Sequence, residues 1–220
     1  MKKGKLVVIE GNDGSGKGTQ ARKLLDYLKN NKIDYAAFDF PQYGKTFFGD
    51  FAGRMQNGDF GHMRRINPYF SMFPYASDRW QAKEDLNKAL DSGKTVVCNR
   101  YAPSIAYQVV KIKPKEREKF LAWSDELEYK IFGIPREDIV IFLYVPYDEA
   151  FKLIEKRGKI KDQNEENALY LKKVEKMYLW LSKHKKNWVR IDCADKKDRM
   201  RSVEEIHQEV IKILKEKNII

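Results

Sequence analysis

Short apolar runs alternate along this chain with longer stretches in which apolar residues recur every three or four positions. Lys5–Glu10, with Leu6, Val7, Val8 and Ile9 in succession, predicts a strand buried on both faces. Tyr35–Phe40 (halted by Pro41), Thr95–Cys98, Ile139–Val145 (ended by Pro146) and Trp188–Asp192 predict four more. Ala21, Leu24, Leu25 and Leu28 predict a helix over Lys17–Asn30, and a longer one is expected from about Pro68 to Leu90, stopped by Asp91-Ser92-Gly93. Further helices are expected over Arg117–Phe132, Asp148–Lys156, about Asn164–His184 and Ser202–Lys217. Strands that alternate with helices imply right-handed βαβ units. The expected fold is α/β: a three-layer sandwich whose five-stranded, mostly parallel sheet is flanked by helices. No repeat or linker interrupts the pattern, so residues 1–220 are expected to form a single domain.

Composition narrows the class without naming a function. Hydrophobic residues make up 42% and charged ones 34%, and no apolar stretch reaches the about 20 residues that span a bilayer. The basic start, Met1 to Lys5, leads into only four apolar residues before a glycine-rich loop, too few for a signal peptide, so a cytoplasmic protein is expected. Cys98 and Cys193 lie in strand-like contexts and read as buried free thiols. Lys+Arg number 43 against 32 Asp+Glu, a net +11, which suits anionic partners. Many lysines alternate with Glu at helical spacing, which favours a solvated basic surface over nucleic-acid binding.

The chemistry concentrates first in Glu10-Gly11-Asn12-Asp13-Gly14-Ser15-Gly16-Lys17-Gly18-Thr19, set between a buried strand and a helix. Gly11, Gly14 and Gly16 let consecutive N–H groups converge on phosphate oxygens, and the helix that follows adds its positive end. Asn12, Ser15 and Lys17 complete an ATP-binding loop in which the lysine reaches the β- and γ-phosphates. Gly18 stands where many P-loops hold magnesium through Ser or Thr, and Gly-Lys-Gly-Thr resembles the nucleoside monophosphate kinases, in which magnesium is held largely by nucleotide and water.

From about Leu6 to Ile213 the order of motifs resembles the thymidylate kinase family. Asn99-Arg100-Tyr101 resembles that family's Asp-Arg-Tyr at the end of a parallel strand, the edge at which ligands bind. The resemblance implies that Arg100 grips the acceptor phosphate and neutralises the transferring group, a task suited to a guanidinium fork. Tyr75-Ala76-Ser77-Asp78-Arg79 resembles the family's Phe-x-x-x-Arg, implying that Tyr75 stacks on thymine while Arg79 donates to a thymine carbonyl. Four residues apart, the two share a helix face. Phe40-Pro41-Gln42-Tyr43 resembles the family's Phe-Pro turn beside the acceptor, but the arginine that often follows the proline is missing, so Lys45 or Arg54 is left to supply its charge. Asp13 matches an aspartate that approaches the acceptor's 3′-hydroxyl.

Ser104-Ile105-Ala106-Tyr107-Gln108 resembles a bacterial Ser-x-x-Ala-Tyr-Gln stretch shortened by one residue, which leaves open whether Tyr107 or Gln108 faces the sugar. A segment at about 156–166 resembles the family's lid; because Gly14 occupies the place where some members carry a catalytic arginine, Arg157, Lys159 and Lys161 inherit that role. Asn99 and Thr19 reach magnesium only through water. The implied activity is transfer of the ATP γ-phosphoryl group to dTMP, giving dTDP, with ATP and Mg²⁺ as cofactors and a homodimer as assembly. The competing readings are a kinase for another nucleotide or a deoxynucleoside, and a P-loop ATPase or nucleic-acid-binding protein.

Overall fold

Leu6, Val7, Val8 and Ile9 are fully buried, and the strand they form is the centre of a sheet. The computed structural model describes residues 3–156, 167–195 and 199–220. β1 (Lys5–Glu10) pairs in parallel with β3 (Thr95–Asn99) on one side and β4 (Ile139–Tyr144) on the other. β2 (Tyr35–Asp39) and β5 (Trp188–Asp192) form the edges, giving the order β2-β3-β1-β4-β5 with every pair parallel.

The alternation of side chains along each strand divides the core in two. Leu6 and Val8 of β1, Val96 and Cys98 of β3, and Val140 and Phe142 of β4 meet α3 (Pro68–Gln81), α4 (Lys83–Asp91), α5 (Ala106–Val109), α6 (Arg117–Asp125) and α8 (Ala168–His184). On the opposite face Val7, Ile9, Val97, Ile141 and Leu143 meet α1 (Lys17–Asn30), α9 (Val203–Glu216) and Ala150 of α7 (Tyr147–Lys156). The three-layer sandwich is therefore present as expected. Ser202 caps α9 through a reciprocal capping box with Glu205. Cys98 and Cys193 are free and buried.

Three features depart from the pattern-based reading. The helix expected over Pro68–Leu90 breaks at Ala82 into α3 and α4. Different partners hold the two sides of the break: Gln81 Oε1 accepts from the Phe48 N–H at 2.9 Å, and Lys83 Nζ donates to the Phe132 carbonyl at 2.8 Å. Glu84 and Asp85 then favour a fresh helix N-terminus. A helix not foreseen, α2 (Phe47–Asn57), follows the Phe40-Pro41 turn; Thr46 caps it by accepting from the Gly49 N–H at 2.9 Å, and Gly58 ends it in the left-handed region. Beyond α6, Glu126–Ile131 winds as a π-helix, with the Phe132 N–H bonded to the Leu127 carbonyl. Among the described residues no helix is long and apolar enough to cross a membrane.

Candidate functional site

The strand ends at the carboxyl edge of the sheet are cross-tied, the Phe40 N–H to the Asn99 carbonyl and the Arg100 N–H to the Ile9 carbonyl, each at 3.0 Å. That edge carries the glycine-rich loop between β1 and α1. Gly14 has φ +80°, and a Cβ there would stand 2.4 Å from the Ala150 carbonyl oxygen of α7. The loop thus has no room for a side chain at Gly14, which is the position where some members of the resembled family place arginine. Gly16, at φ +81°, turns the chain into α1. Gly18 and Thr19 are exposed on the first helical turn. Lys17 is buried, and its Nζ donates to the Asn12 carbonyl at 2.8 Å, folded over the mouth of the loop. Asn12 Nδ2 donates to the Val145 carbonyl at 3.2 Å, while Asn12 Oδ1 and Ser15 Oγ are buried polar atoms without a partner among the described residues. Such atoms are ordinarily satisfied by ordered water or ligand.

Glu10, fully buried at the last position of β1, holds the site together. Its carboxylate accepts from the Gly11 N–H (3.0 Å), Ser104 Oγ (2.7 Å) and the Tyr178 hydroxyl (2.9 Å) and lies 3.7 Å from Arg100 Nη1. Arg100 itself has φ +62°, strained backbone for a residue with a side chain. Its guanidinium pairs with Asp13 and lies over the Tyr107 ring, and the Tyr107 hydroxyl donates to Asp13 Oδ2 at 2.6 Å. Burial pushes the Asp13 carboxyl up, but Arg100, Lys17 and the Tyr107 bond outweigh it and hold the pKa below the ordinary value. Burial, then Asp13, lifts Tyr107 well above a free phenol, so it remains a hydrogen-bond donor.

From this cluster a cavity of about 900 Å³ runs along α3. Every residue expected to meet the acceptor lines it: Asp13, Arg100, Ser104 and Tyr107 at one end, Phe40, Pro41, Tyr43 and Arg54 along the α2 side, and Tyr75, Arg79 and Gln108 toward α3. Tyr43 is bonded through its hydroxyl to Gln56. Of the two cations proposed to replace the missing arginine, Arg54 is the one at the cavity, paired with Asp59 at 2.8 Å. Arg79 is buried against a partner no motif pointed to: Nε and Nη2 bond the two carboxylate oxygens of Glu128 at 2.6 and 2.7 Å. Burial acts against the Arg79 charge, but Glu128 more than offsets this and raises its pKa. A guanidinium has five N–H groups, so this pair leaves others for the cavity. Glu128 itself comes from the π-helical turn; a carboxylate among Leu127, Tyr129 and Ile131 was the only trace of it in the sequence.

Asn99 Nδ2 donates to Asp39 Oδ1 at 2.9 Å, leaving Asn99 Oδ1 buried without a partner among the described residues. Burial raises the Asp39 pKa, opposed by the Asn99 bond and by Arg100. Gly18 lies alongside, a Cβ there falling 3.9 Å from Asn99 Nδ2. Arg157, Lys159 and Lys161 lie outside the described residues.

The family model for thymidylate kinase matches residues 9–210. The chain is 28% identical to a thymidylate kinase of Plasmodium falciparum over 215 residues, covering 96% of this chain and 90% of that one. It is 31% identical to a probable thymidylate kinase of Pyrococcus abyssi, with 97% of each covered, and 26% identical to a human thymidylate kinase, with 95% and 89% covered. A solved structure of a thymidylate kinase from Candida albicans superposes with a TM-score of 0.78 at 19% identity, covering 99% of this chain and 93% of that one.

The Arg79–Glu128 pair yields a test of what holds the cavity wall. Glu128→Ala strands a buried guanidinium, and loss of one member of a buried pair costs about 3–5 kcal/mol. Denaturant unfolding should show that loss, while a change below about 1 kcal/mol would mean the pair is not the anchor described.

Proposed function

This chain belongs to the thymidylate kinase family, and from that premise we propose how its own residues move the ATP γ-phosphoryl group onto dTMP to give dTDP. The family uses ATP as phosphate donor. The glycine-rich loop and Lys17 hold the ATP phosphates, whose transfer asks for alignment and charge neutralisation rather than covalent help from the protein. Arg100 presents its guanidinium to the acceptor phosphate, whose oxygen is the nucleophile and needs no base. Asp13, kept ionised beside Arg100, accepts from the 3′-hydroxyl, and Tyr107 closes the sugar end. Tyr75 stacks on the base and Arg79 donates to a base carbonyl. Arg157, Lys159 and Lys161 supply lid charge. The observation that carries this reading is one continuous cavity, joining the Arg100–Asp13 cluster beside the phosphate loop to Tyr75 and Arg79.

Magnesium, when bound, neutralises phosphate charge in the reaction. The residues fit a water-mediated ion: Asn99 Oδ1 is a buried acceptor with no partner among the described residues, and Asp39 beside it supplies the carboxylate that Asn99 lacks. Thr19 is an exposed hydroxyl on the adjoining turn.

A homodimer suits the outer face of α3. Phe73 and Trp80 pack against Phe132 and are exposed, and Phe70 (76% exposed), one turn before Phe73 on α3, and Ile131 (69% exposed), next to Phe132, extend this apolar surface. Such contiguous apolar surface marks a protein interface.

ADP formation with dTMP, dUMP, UMP, AMP, CMP and GMP offered separately should show a strong preference for dTMP; preference for another acceptor overturns the base-pocket assignment. Arg100→Met is expected to lower kcat/KM for dTMP about 10²-fold or more. Asp39→Asn should raise the magnesium concentration needed for half-maximal rate and weaken Mn²⁺ binding read by its spin resonance; unchanged values in both would remove Asp39 from the metal's surroundings. Phe73→Glu with Trp80→Glu should convert a dimer to a monomer in light scattering, and an unaltered mass would place the interface elsewhere.

A further inference from the structure

We infer that Lys111 fixes the hydrogen-bonding sense of Gln108, and so sets which bases the acceptor cavity takes. The inference rests on the proposed reading of that cavity as the dTMP site. Lys111 follows α5, and its Nζ faces three neutral acceptors: Gln108 Oε1 at 2.9 Å, the Met63 carbonyl at 3.1 Å and Ser71 Oγ at 3.4 Å. An ammonium has three N–H donors and no lone pair, so a primary amide beside it must present oxygen. The reversed amide would set N–H against N–H. Ser71 Oγ lies 2.5 Å from the same Oε1 and donates to it, using the oxygen's second lone pair. Gln108 is buried yet lines the cavity, so the group it has left to offer a ligand is its NH₂.

The position of Gln108 tells what it meets. Ser71, Tyr75 and Arg79 follow one another at four-residue spacing on one face of α3, and Gln108 is joined to the first of them. It therefore sits at the base end, one helical turn from the stacking Tyr75. Arg79 and Gln108 then both offer only donors. A pyrimidine with carbonyls on its edge, thymine or uracil, accepts from them; the exocyclic amine of cytosine or adenine meets donor with donor. Without the lysine the amide is free to turn, and a carbonyl facing the cavity would welcome that amine. Lys111 is thus a positioning residue, touching no substrate and acting through Gln108.

The same geometry sets a pH signature. The groups facing the ammonium, the Met63 carbonyl, the Ser71 hydroxyl and the Gln108 amide, do not titrate in the working range, and burial pushes Lys111 down to about 8. Above that pH the neutral amine gains a lone pair and accepts from the amide as readily as it donates.

Steady-state kcat and KM for dTMP and dCMP would be measured in wild type, Lys111→Met, Lys111→Arg, Gln108→Leu and the Met/Leu double variant. Lys111→Met should raise KM for dTMP about tenfold with kcat little changed, and narrow the dTMP over dCMP preference by a similar factor. In the Gln108→Leu background the Lys111 change should add nothing. Wild-type KM for dTMP should rise through about pH 8 and stay level in Lys111→Arg, which remains a donor throughout. An active wild type with unchanged Lys111→Met preference, or a Lys111 effect that persists in Gln108→Leu, overturns this inference alone. A wild type inert toward dTMP overturns the acceptor reading and this inference with it. Should Lys111→Met not fold, Lys111→Gln takes its place in the same comparison, and an unchanged dTMP over dCMP preference in that variant overturns the inference.

Discussion

The site depends on satisfying one carboxylate. Glu10 ends the central strand with no exposure to water, where a charge is costly unless several donors reach it. The groups that do so come from separate parts of the chain: the first N–H of the phosphate loop, Ser104 from the turn after β3, Tyr178 from α8 and, at longer range, the Arg100 guanidinium. Each is therefore held in place by the same constraint. The loop cannot shift without uncovering Glu10, and Arg100 cannot leave without removing its nearest buried countercharges. The left-handed backbone at Arg100 is the local strain that this arrangement tolerates, and its guanidinium meets Glu10 at the end of β1 and Asp13 in the loop beyond.

A second buried ion pair works in the same way at the other end of the cavity. Arg79 is locked by two short bonds to Glu128, so its remaining N–H groups point from a fixed plane. In the proposed reading such fixed donors select by geometry, because a side-chain swing is not there to accommodate a mismatched base. Both guanidiniums are thus held by carboxylates, Arg100 by Asp13 and Arg79 by Glu128, and in the proposed reading one is presented to phosphate oxygens and the other to a base.

The strands, the phosphate loop and the motif residues were legible because their signals are local: an apolar run, a glycine spacing, two side chains four apart on a helix. Between Thr46 and Gly58, the two ends of α2, Phe48, Phe51, Ala52 and Met55 do recur at helical spacing, but Gly49 and Gly53 inside the span weigh against a helix. The partners of the motif residues were not legible. Glu128 is 49 positions from Arg79, and Lys111 meets Ser71 across 40, with only a charge in an otherwise ordinary helix or turn to mark either. Asp39 is similar: it reads as one more residue of the Tyr35–Phe40 strand, and only the pairing of β2 with β3 sets it opposite Asn99. Pairings of that kind follow from the sheet order, which is a property of the whole chain.

The stretch after Ser104 shows how a local irregularity is resolved by such long-range fits. Ala102–Ile105 makes a tight 3₁₀ turn, and α5, only four residues long, carries Tyr107 and Gln108 side by side. Neighbours on a helix diverge by about 100°, so the two cannot face the same part of the cavity. Tyr107 turns to Asp13 and Gln108 to Ser71. In an extended segment they would have pointed to opposite faces, and one would have left the cavity altogether. The shortened turn thereby gives each residue its own part of one cavity, Tyr107 beside Asp13 and Gln108 beside Ser71, and Lys111, three residues on in the turn after α5, falls close enough to Gln108 to hold its amide.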